Sequence, residues 1–369
     1  MKTKAAVAFE PGKPLEILEI DLAGPRDGEV LVEMEACGIC HTDALSASGA
    51  EPWRKFPFVL GHEGCGIVRE IGKGVTLLQP GDKVIPLYKS ECGHCEPCSS
   101  GKSNNCSSIM PTQKRGVMMD GTSRFSYQGK EILHFMGCSA FSQFTVAPEI
   151  SFAKIAAEAP SDEICLLGCA VTTGLGAVFK TARVKPGSSV AIFGLGGIGL
   201  AAIQGARIAG AERIIAVDLN PAKFDLAQQF GATDVINPTD LSGSVAELIT
   251  EMSKGGCDYS FEAAGAIPAM QEAINSAHPQ WGTCCLLGNT PDDARISIHP
   301  TAVLGGRKII GCTFGGIQGR SELPSYVDRA VRGELDLAPM ITHRLALEEI
   351  NHGIDLMHAG KSIRSVVVF

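Results

Sequence analysis

The chain is predicted to be an α/β protein that joins an irregular β domain to a doubly wound parallel-sheet domain, and three observations carry that prediction. Its 369 residues exceed what one hydrophobic core usually serves. The first 150 residues are rich in Gly and Pro and hold only short apolar runs. After Cys169 the pattern changes to strand, glycine turn and helix, repeated, which is the rhythm of a parallel sheet with crossover helices.

In the first region EVLVEMEA (29–36), GIVREIG (66–72) and DKVIPL (82–87) read as strands. In the second, SSVAIFG (188–194) is a short apolar strand, IGLAAIQGARIAG (198–210) an Ala-rich helix and RIIAVD (213–218) the next strand. DYSFEAAG (258–265), TCCLLG (283–288) and KIIGCTF (308–314) continue the series, separated by helical stretches such as PAKFDLAQQFG and SVAELITEM. From Phe314 the rhythm ends in a helix and a strand-like RSVVVF terminus.

Composition excludes several classes. The net charge of -8, with no dense Lys/Arg block, offers no basic field for a nucleic acid backbone. No run approaches the roughly 18 uncharged apolar residues of a membrane span, and the N-terminal MKTKAAVAFEPGKPLEI does not read as a secretion signal. Fourteen cysteines without such a signal point to the cytoplasm, where close cysteine spacing means metal or catalysis more often than disulfides.

Three constellations carry chemistry. GLGGIG, with Gly194, Gly196, Gly197 and Gly199, lies between a predicted strand and a predicted helix, where glycines permit a tight turn, close approach of a pyrophosphate and helix packing. Asp218 ends the following strand, placed to accept hydrogen bonds from a ribose and to repel a 2′-phosphate, so NAD is favoured over NADP. ECGHCEPCSSGKSNNC (91–106) supplies Cys92, Cys95, Cys98 and Cys106, whose four thiolates fill a tetrahedral zinc site and leave no position for substrate. Disulfides or a redox Cys-x-x-Cys pair are the competing readings, disfavoured by the reducing compartment and by the lack of a thioredoxin-like strand and helix. Cys40, His62 and Cys169, scattered over CGICHTD, GHEGCGIVREIG and LLGCAVTTG, each suit a structural role alone. Together they offer two thiolates and an imidazole, a set that leaves zinc one open position, and an open zinc beside a nicotinamide suggests alcohol oxidation. A metal hydrolase would use the same ligands but leave the glycine turn idle.

GHE, followed by Gly66 and Gly72, resembles the signature of the zinc-dependent medium-chain alcohol dehydrogenases. CHTDA, DGTSRF, the four-cysteine lobe, FGLGGIGL, INP, FGG and LMHAGKSIR are similar to the class III, S-(hydroxymethyl)glutathione dehydrogenase group, almost end to end. The resemblance implies a GroES-like catalytic domain of residues 1–170 and 315–369, carrying the structural zinc lobe 91–106, around a Rossmann dinucleotide-binding domain of 171–314. It implies NAD and two zinc ions per chain, one catalytic on Cys40, His62 and Cys169 and one structural. Glu63 would be a carboxylate able to move onto the metal, Asp43 would orient His62, and Thr42 would take the substrate proton. His41 and Arg364 would approach the cofactor pyrophosphate, Lys223 the adenine ribose and Thr173 the nicotinamide. A homodimer is implied as well, and the partners reduce to a small alcohol or thiol–formaldehyde adduct, with neither nucleic acid nor membrane.

The chain departs from the group where glutathione would bind. The loop after CHTDA reads SGAEPWRKFP, keeping Glu51 but placing Trp53 where a second acid is usual; Met110 occupies an arginine position and Pro279 a lysine position. Arg54, Lys55 and Arg115 are the nearby candidate substitutes. Two further readings therefore stand beside the thiol–formaldehyde adduct: another primary or aromatic alcohol in a more apolar pocket, and a non-catalytic nucleotide-binding protein.

Overall fold

The computed structural model describes residues 1–290 and 293–369. The chain divides into two compact units, Met1–Cys169 with Ile317–Phe369, and Ala170–Gly316.

The first unit combines a closed five-stranded barrel with a seven-stranded sheet. Its organising element is the strand Glu29–Gly38, buried at nearly every position because both faces are covered. Along one edge it pairs antiparallel with Glu63–Ile71, in a register that sets Gly38 opposite Glu63. The C-terminal strand Arg364–Val368 also pairs antiparallel with it, Val366 opposite Gly38. Residues from both ends of the chain thus meet at Gly38. A Cβ there would lie 2.5 Å from Glu63 Oε2 and 3.3 Å from Arg364 Nη2, so only glycine leaves room for that pair. Phe58, Phe135, Phe141 and Phe152 fill the core beneath. The barrel begins with two strands that sequence patterning does not single out, Lys2–Ala8 and Glu16–Leu22, paired antiparallel from Lys2 opposite Asp21 to Val7 opposite Glu16. The first, KTKAAVA, mixes two lysines with three alanines, whose small side chains give little strand signal.

The second unit is the doubly wound sheet. Its six strands run in the order Asp234–Ile236, Arg213–Val217, Ser189–Phe193, Tyr259–Glu262, Thr283–Leu286, Lys308–Gly311, and every pairing is parallel. The order reverses between Ser189–Phe193 and Tyr259–Glu262, the switch point where such sheets open a crevice at their carboxyl ends. Ala191, Phe193, Ile215, Val217, Ile249 and Ile274 form the core on one face. Helix Val245–Met252 starts on Ser244, whose Oγ accepts from Ala246 and Glu247 N–H, so the predicted SVAELITEM helix carries its own cap.

One barrel residue gives the fold a pH dependence. His134 is buried, its Nε2 accepts from the Arg124 backbone N–H at 3.2 Å, its Nδ1 has no hydrogen-bond partner among the described residues, and its ring lies on Phe125. Burial, and then the Arg124 charge, lower the imidazole from 6.5 to about 3. Between those values the unfolded chain binds the proton and the folded chain does not, so stability is complete above about pH 6.5 and falls as pH drops toward 3. His134→Gln removes this titration. Thermal unfolding between about pH 7 and about pH 4.5 should show a smaller fall in Tm for the variant than for the native chain; equal falls would contradict a neutral, buried His134.

Candidate active site

The open-site residues are assembled by one carboxylate. Asp43 lies in the first turn of the helix His41–Ala47, is fully buried, and accepts from the Cys40 N–H at 3.0 Å through Oδ2. Its Oδ1 accepts from the Gly61 N–H at 3.2 Å and faces His62 Nδ1 at 3.0 Å. The helix start is thereby tied to the turn before the strand Glu63–Ile71, and the ring is oriented with Nδ1 toward the carboxylate, which leaves Nε2 as the atom to ligate a metal once its proton is displaced. Phe135 and Tyr88 stand edge-on to the same ring, with centroids 5.7 Å and 5.8 Å away.

One ligand atom from each of Cys40, His62, Glu63 and Cys169 lies within 4.8 Å of the other three. Burial works against a charge on His62, but the Asp43 carboxylate and Cys40 outweigh it and raise the imidazole to about 10. Contact with Cys169 holds the Cys40 thiol well below its usual range, and the same contact with burial drives Cys169 well above it. Two thiols and an imidazole gathered beside the buried Glu63 carboxylate are chemically suited to a soft divalent cation. Glu63 is fully buried; Arg364 donates to its Oε2, while Oε1 has no hydrogen-bond partner among the described residues and is left as a candidate ligand. Thr42 lies beside the same group, with Oγ1 3.8 Å from Cys40 Sγ. His41 packs edge-on against His358 at 6.4 Å. Arg364 is buried on Glu63, a contact the sequence does not announce.

The four lobe cysteines make a second group whose ligand atoms all lie within 4.8 Å of one another. Cys92 and Cys98 sulfurs are 3.8 Å apart, as are those of Cys95 and Cys106, far beyond a disulfide bond. Four sulfurs each about 2.3 Å from a common centre in tetrahedral array stand about 3.8 Å from one another, which is the separation of both of these pairs. The Cys95 N–H donates to Cys92 Sγ at 3.3 Å, and Ser108 Oγ lies 3.3 Å from the same sulfur. Burial opposes ionisation of Cys95, but backbone N–H groups and Ser107 prevail and lower it to about 5.

In the second unit Gly194 has φ of 92° and follows the strand Ser189–Phe193. A Cβ on Gly199 would lie 1.8 Å from the Gly194 carbonyl oxygen, whereas one on Gly196 would meet nothing within 4 Å. The turn is thus closed on its inner side and open where a pyrophosphate would approach. Gly196 caps the helix Gly197–Ile208. Asp218 Oδ2 accepts from the Leu195 N–H at 2.7 Å and Oδ1 from the Asn220 N–H at 2.8 Å, with Lys223 Nζ 3.1 Å away, so Asp218 and Lys223 form one unit beside the glycine turn. Thr173 is buried in the helix Ala170–Gly176. Sequence patterning does not single out Glu262, a fully buried carboxylate at the carboxyl end of Tyr259–Glu262. Its Oε1 accepts from the Ala264 and Gly265 N–H groups at 2.9 Å and 2.6 Å, holding the loop at the switch point. An acid closing an apolar strand in FEAAG is the signal that would have found it.

Known proteins match both units. The alcohol dehydrogenase GroES-like domain family matches residues 26–157, and the zinc-binding dehydrogenase family residues 197–332. An S-(hydroxymethyl)glutathione dehydrogenase of Synechocystis sp. is 56% identical over 367 residues, covering all of both chains, and one of Escherichia coli is 54% identical over the same span and coverage. Among solved structures, an alcohol dehydrogenase zinc-binding domain protein from Burkholderia ambifaria has a TM-score of 0.94 at 32% identity, covering all of this chain and 99% of the other. A benzyl alcohol dehydrogenase from Acinetobacter calcoaceticus has a TM-score of 0.93 at 28% identity, with the same coverage.

The two clusters predict zinc content. Elemental analysis of the purified chain should give about two zinc per chain, Cys106→Ser should lose one, and Asp43→Asn should weaken retention of the other by about ten- to a hundredfold against a chelator. An Asp43→Asn chain that resists chelation like the native one would contradict the orienting role of that carboxylate.

Proposed function

We propose, from the premise that this chain belongs to the zinc-dependent alcohol dehydrogenase family, that it oxidises the thiol–formaldehyde adduct S-(hydroxymethyl)glutathione with NAD. That it is an alcohol dehydrogenase using zinc and NAD follows from the family and its full-length relatives. The choice of adduct rests on the relatives' names and on 54–56% identity over the whole chain. The observation that supports the chemistry most directly is the gathering of Cys40, His62, Glu63 and Cys169 ligand atoms within 4.8 Å.

Zinc on Cys40, His62 and Cys169 would supply Lewis acidity to the substrate hydroxyl, and NAD would accept the hydride. The chain's own residues do the rest. Asp43 keeps His62 in one tautomer and one orientation, so its Nε2 is always presented to the cluster. Thr42 Oγ1, beside Cys40, takes the proton that the hydroxyl gives up. Glu63 holds a carboxylate oxygen in reserve for the fourth ligand position, and Arg364 restrains it through the other oxygen. The Gly194–Gly199 turn would receive the pyrophosphate, and His41 and Arg364 are proposed as further ligands of that group. Asp218 takes the adenine ribose hydroxyls with Lys223 alongside, and its charge excludes a 2′-phosphate. Thr173 lines the nicotinamide position.

Two copies of the chain would pair through the edge strand Lys308–Gly311, whose outer side has no neighbour among the described strands and near which Leu304 is 78% exposed. No single described helix is long and apolar enough to cross a membrane, and fourteen cysteines suit the cytoplasm.

A second reading, an apolar primary or aromatic alcohol, is favoured by Met110 in the arginine position and by Trp53, 46% exposed. Oxidation of formaldehyde measured with and without glutathione, beside oxidation of benzyl alcohol, separates the two. Turnover should require glutathione and exceed that of benzyl alcohol; equal rates with and without the thiol would sink the adduct assignment.

A further inference from the structure

The second unit holds four cysteines outside both metal clusters, and two of them meet. Cys285 stands opposite Ile310 in the parallel pair Thr283–Leu286 and Lys308–Gly311, and Cys312 follows two positions after Ile310, so side-chain alternation sets both sulfurs on one face of the sheet. There the two side chains are in hydrogen-bond contact, and neither is in a disulfide. Cys284, next in the chain, is turned to the other face, into the core with Ala191 and Phe193. Cys285 is fully buried, whereas Cys312 is half-buried just past its strand end. Contact with Cys285 lowers the Cys312 thiol from its ordinary value, and Thr181 and the Gly315 N–H assist it against burial; the same contact, with burial, raises Cys285. One thiol of the pair is therefore a reachable, more readily ionised nucleophile, and the other is its buried neighbour.

Cys312 also leads into a turn with little slack. Phe314, Gly315 and Gly316 have φ of 54°, 64° and 72°. A Cβ on Gly315 would lie 2.5 Å from the Thr172 carbonyl oxygen and 3.1 Å from that of Thr173, so the turn packs directly on the helix that carries Thr173. Thr181 joins the two parts: it contacts the Cys312 side chain, and its Oγ1 donates to the Gly315 carbonyl at 3.1 Å.

We propose that Cys285 and Cys312 are a reversible oxidation site, closed to a disulfide by a hydroperoxide, and that closure weakens binding of the dinucleotide. The second half rests on the proposed dinucleotide site, with Thr173 at the nicotinamide. The Cys312 thiolate attacks the outer oxygen of the hydroperoxide; the O–O bond breaks, the alkoxide leaves and takes up the proton the thiol had released, and Cys312 becomes a sulfenic acid. The Cys285 sulfur then displaces that hydroxyl, which leaves with the Cys285 proton as water. Two electrons pass from the sulfur pair to the peroxide, and a thiol reductant returns them. A disulfide brings the sulfurs to about 2.05 Å, closer than any hydrogen-bonded contact. Cys285 is fixed inside the sheet, so Cys312 makes the movement and shifts the turn that packs on Thr173. Both cysteines lie toward the carboxyl ends of their strands, the side on which a doubly wound sheet binds its ligand.

The test treats the zinc-loaded chain with hydrogen peroxide, maps disulfides by mass spectrometry of an unreduced digest, and follows NADH affinity by fluorescence titration. The native chain should yield a peptide pair joined through Cys285 and Cys312. Its Kd for NADH should rise at least about fivefold, the lower range of couplings between sites, and return with dithiothreitol. Cys285→Val should stop at the sulfenic acid, which dimedone captures on Cys312, and Cys312→Ser should yield neither product and keep its affinity. Zinc released from the cysteine lobe is read in parallel with a chromogenic chelator. An unjoined pair in the oxidised native chain, a joined pair with unchanged Kd, or an equal rise in Kd for Cys312→Ser that tracks zinc release would each overturn the proposal. Failure of the reduced native chain to bind NADH would instead bring down the dinucleotide site, and the peptide map would still decide the disulfide.

Discussion

Asp43 has no exposed surface, and its two oxygens meet the Cys40 N–H, the Gly61 N–H and the His62 ring. A buried carboxylate is costly unless fully compensated, so these three contacts are mutually necessary: none of the two backbone segments or the ring can drift without stranding a charge. Through that one group, a helix start and a strand start that lie far apart in the sequence are fixed against each other. Cys169, arriving from the short turn Cys165–Gly168, meets a frame already set. The same turn packs closely on the strand: a Cβ on Gly168 would lie 3.0 Å from Glu63 Cα.

A second buried pair works the other way. Glu63 and Arg364 neutralise one another beside the cluster, but each keeps an unspent atom, Glu63 Oε1 and Arg364 Nε. Removing one partner alone would leave the other charge buried and unpaired, a larger loss than the pair itself is worth. Incomplete satisfaction of this kind is destabilising in a structural core, and its presence next to four convergent ligand atoms marks a place where groups exchange partners. Gly38 is the covalent condition for it, because no other residue would let strand, carboxylate and guanidinium occupy the same corner.

How legible each feature is in the sequence follows from how local its cause is. The glycine turn and the cysteine lobe are short-range patterns whose geometry is set within one segment, so GLGGIG and ECGHCEPC can be read directly. The alternation after Cys169 gives the parallel sheet for the same reason. Cys40, His62 and Cys169 are harder, since three separate residues acquire meaning only as a set, and the motifs around them resemble a family more than they state a geometry. The barrel strands Lys2–Ala8 and Glu16–Leu22 are hidden because alanine and alternating charge dilute the strand signal. Arg54 is hidden for another reason: EPWRKFP looks like a solvated charged loop, and nothing local reveals that Phe135, from a distant strand end, provides the face on which the guanidinium lies. Buried charges of this sort depend on tertiary partners, which spacing cannot supply.

The central claim is that Cys40, His62 and Cys169 hold one metal ion with a position left for substrate. Substituting cobalt for zinc at that site alone and recording the visible spectrum tests it most directly. A sulfur-to-cobalt charge-transfer band that weakens in Cys40→Ser and Cys169→Ser, with ligand-field bands that shift when an alcohol is added, is the predicted result. Bands unaffected by either cysteine, or a closed tetrahedral spectrum that no alcohol perturbs, would contradict it.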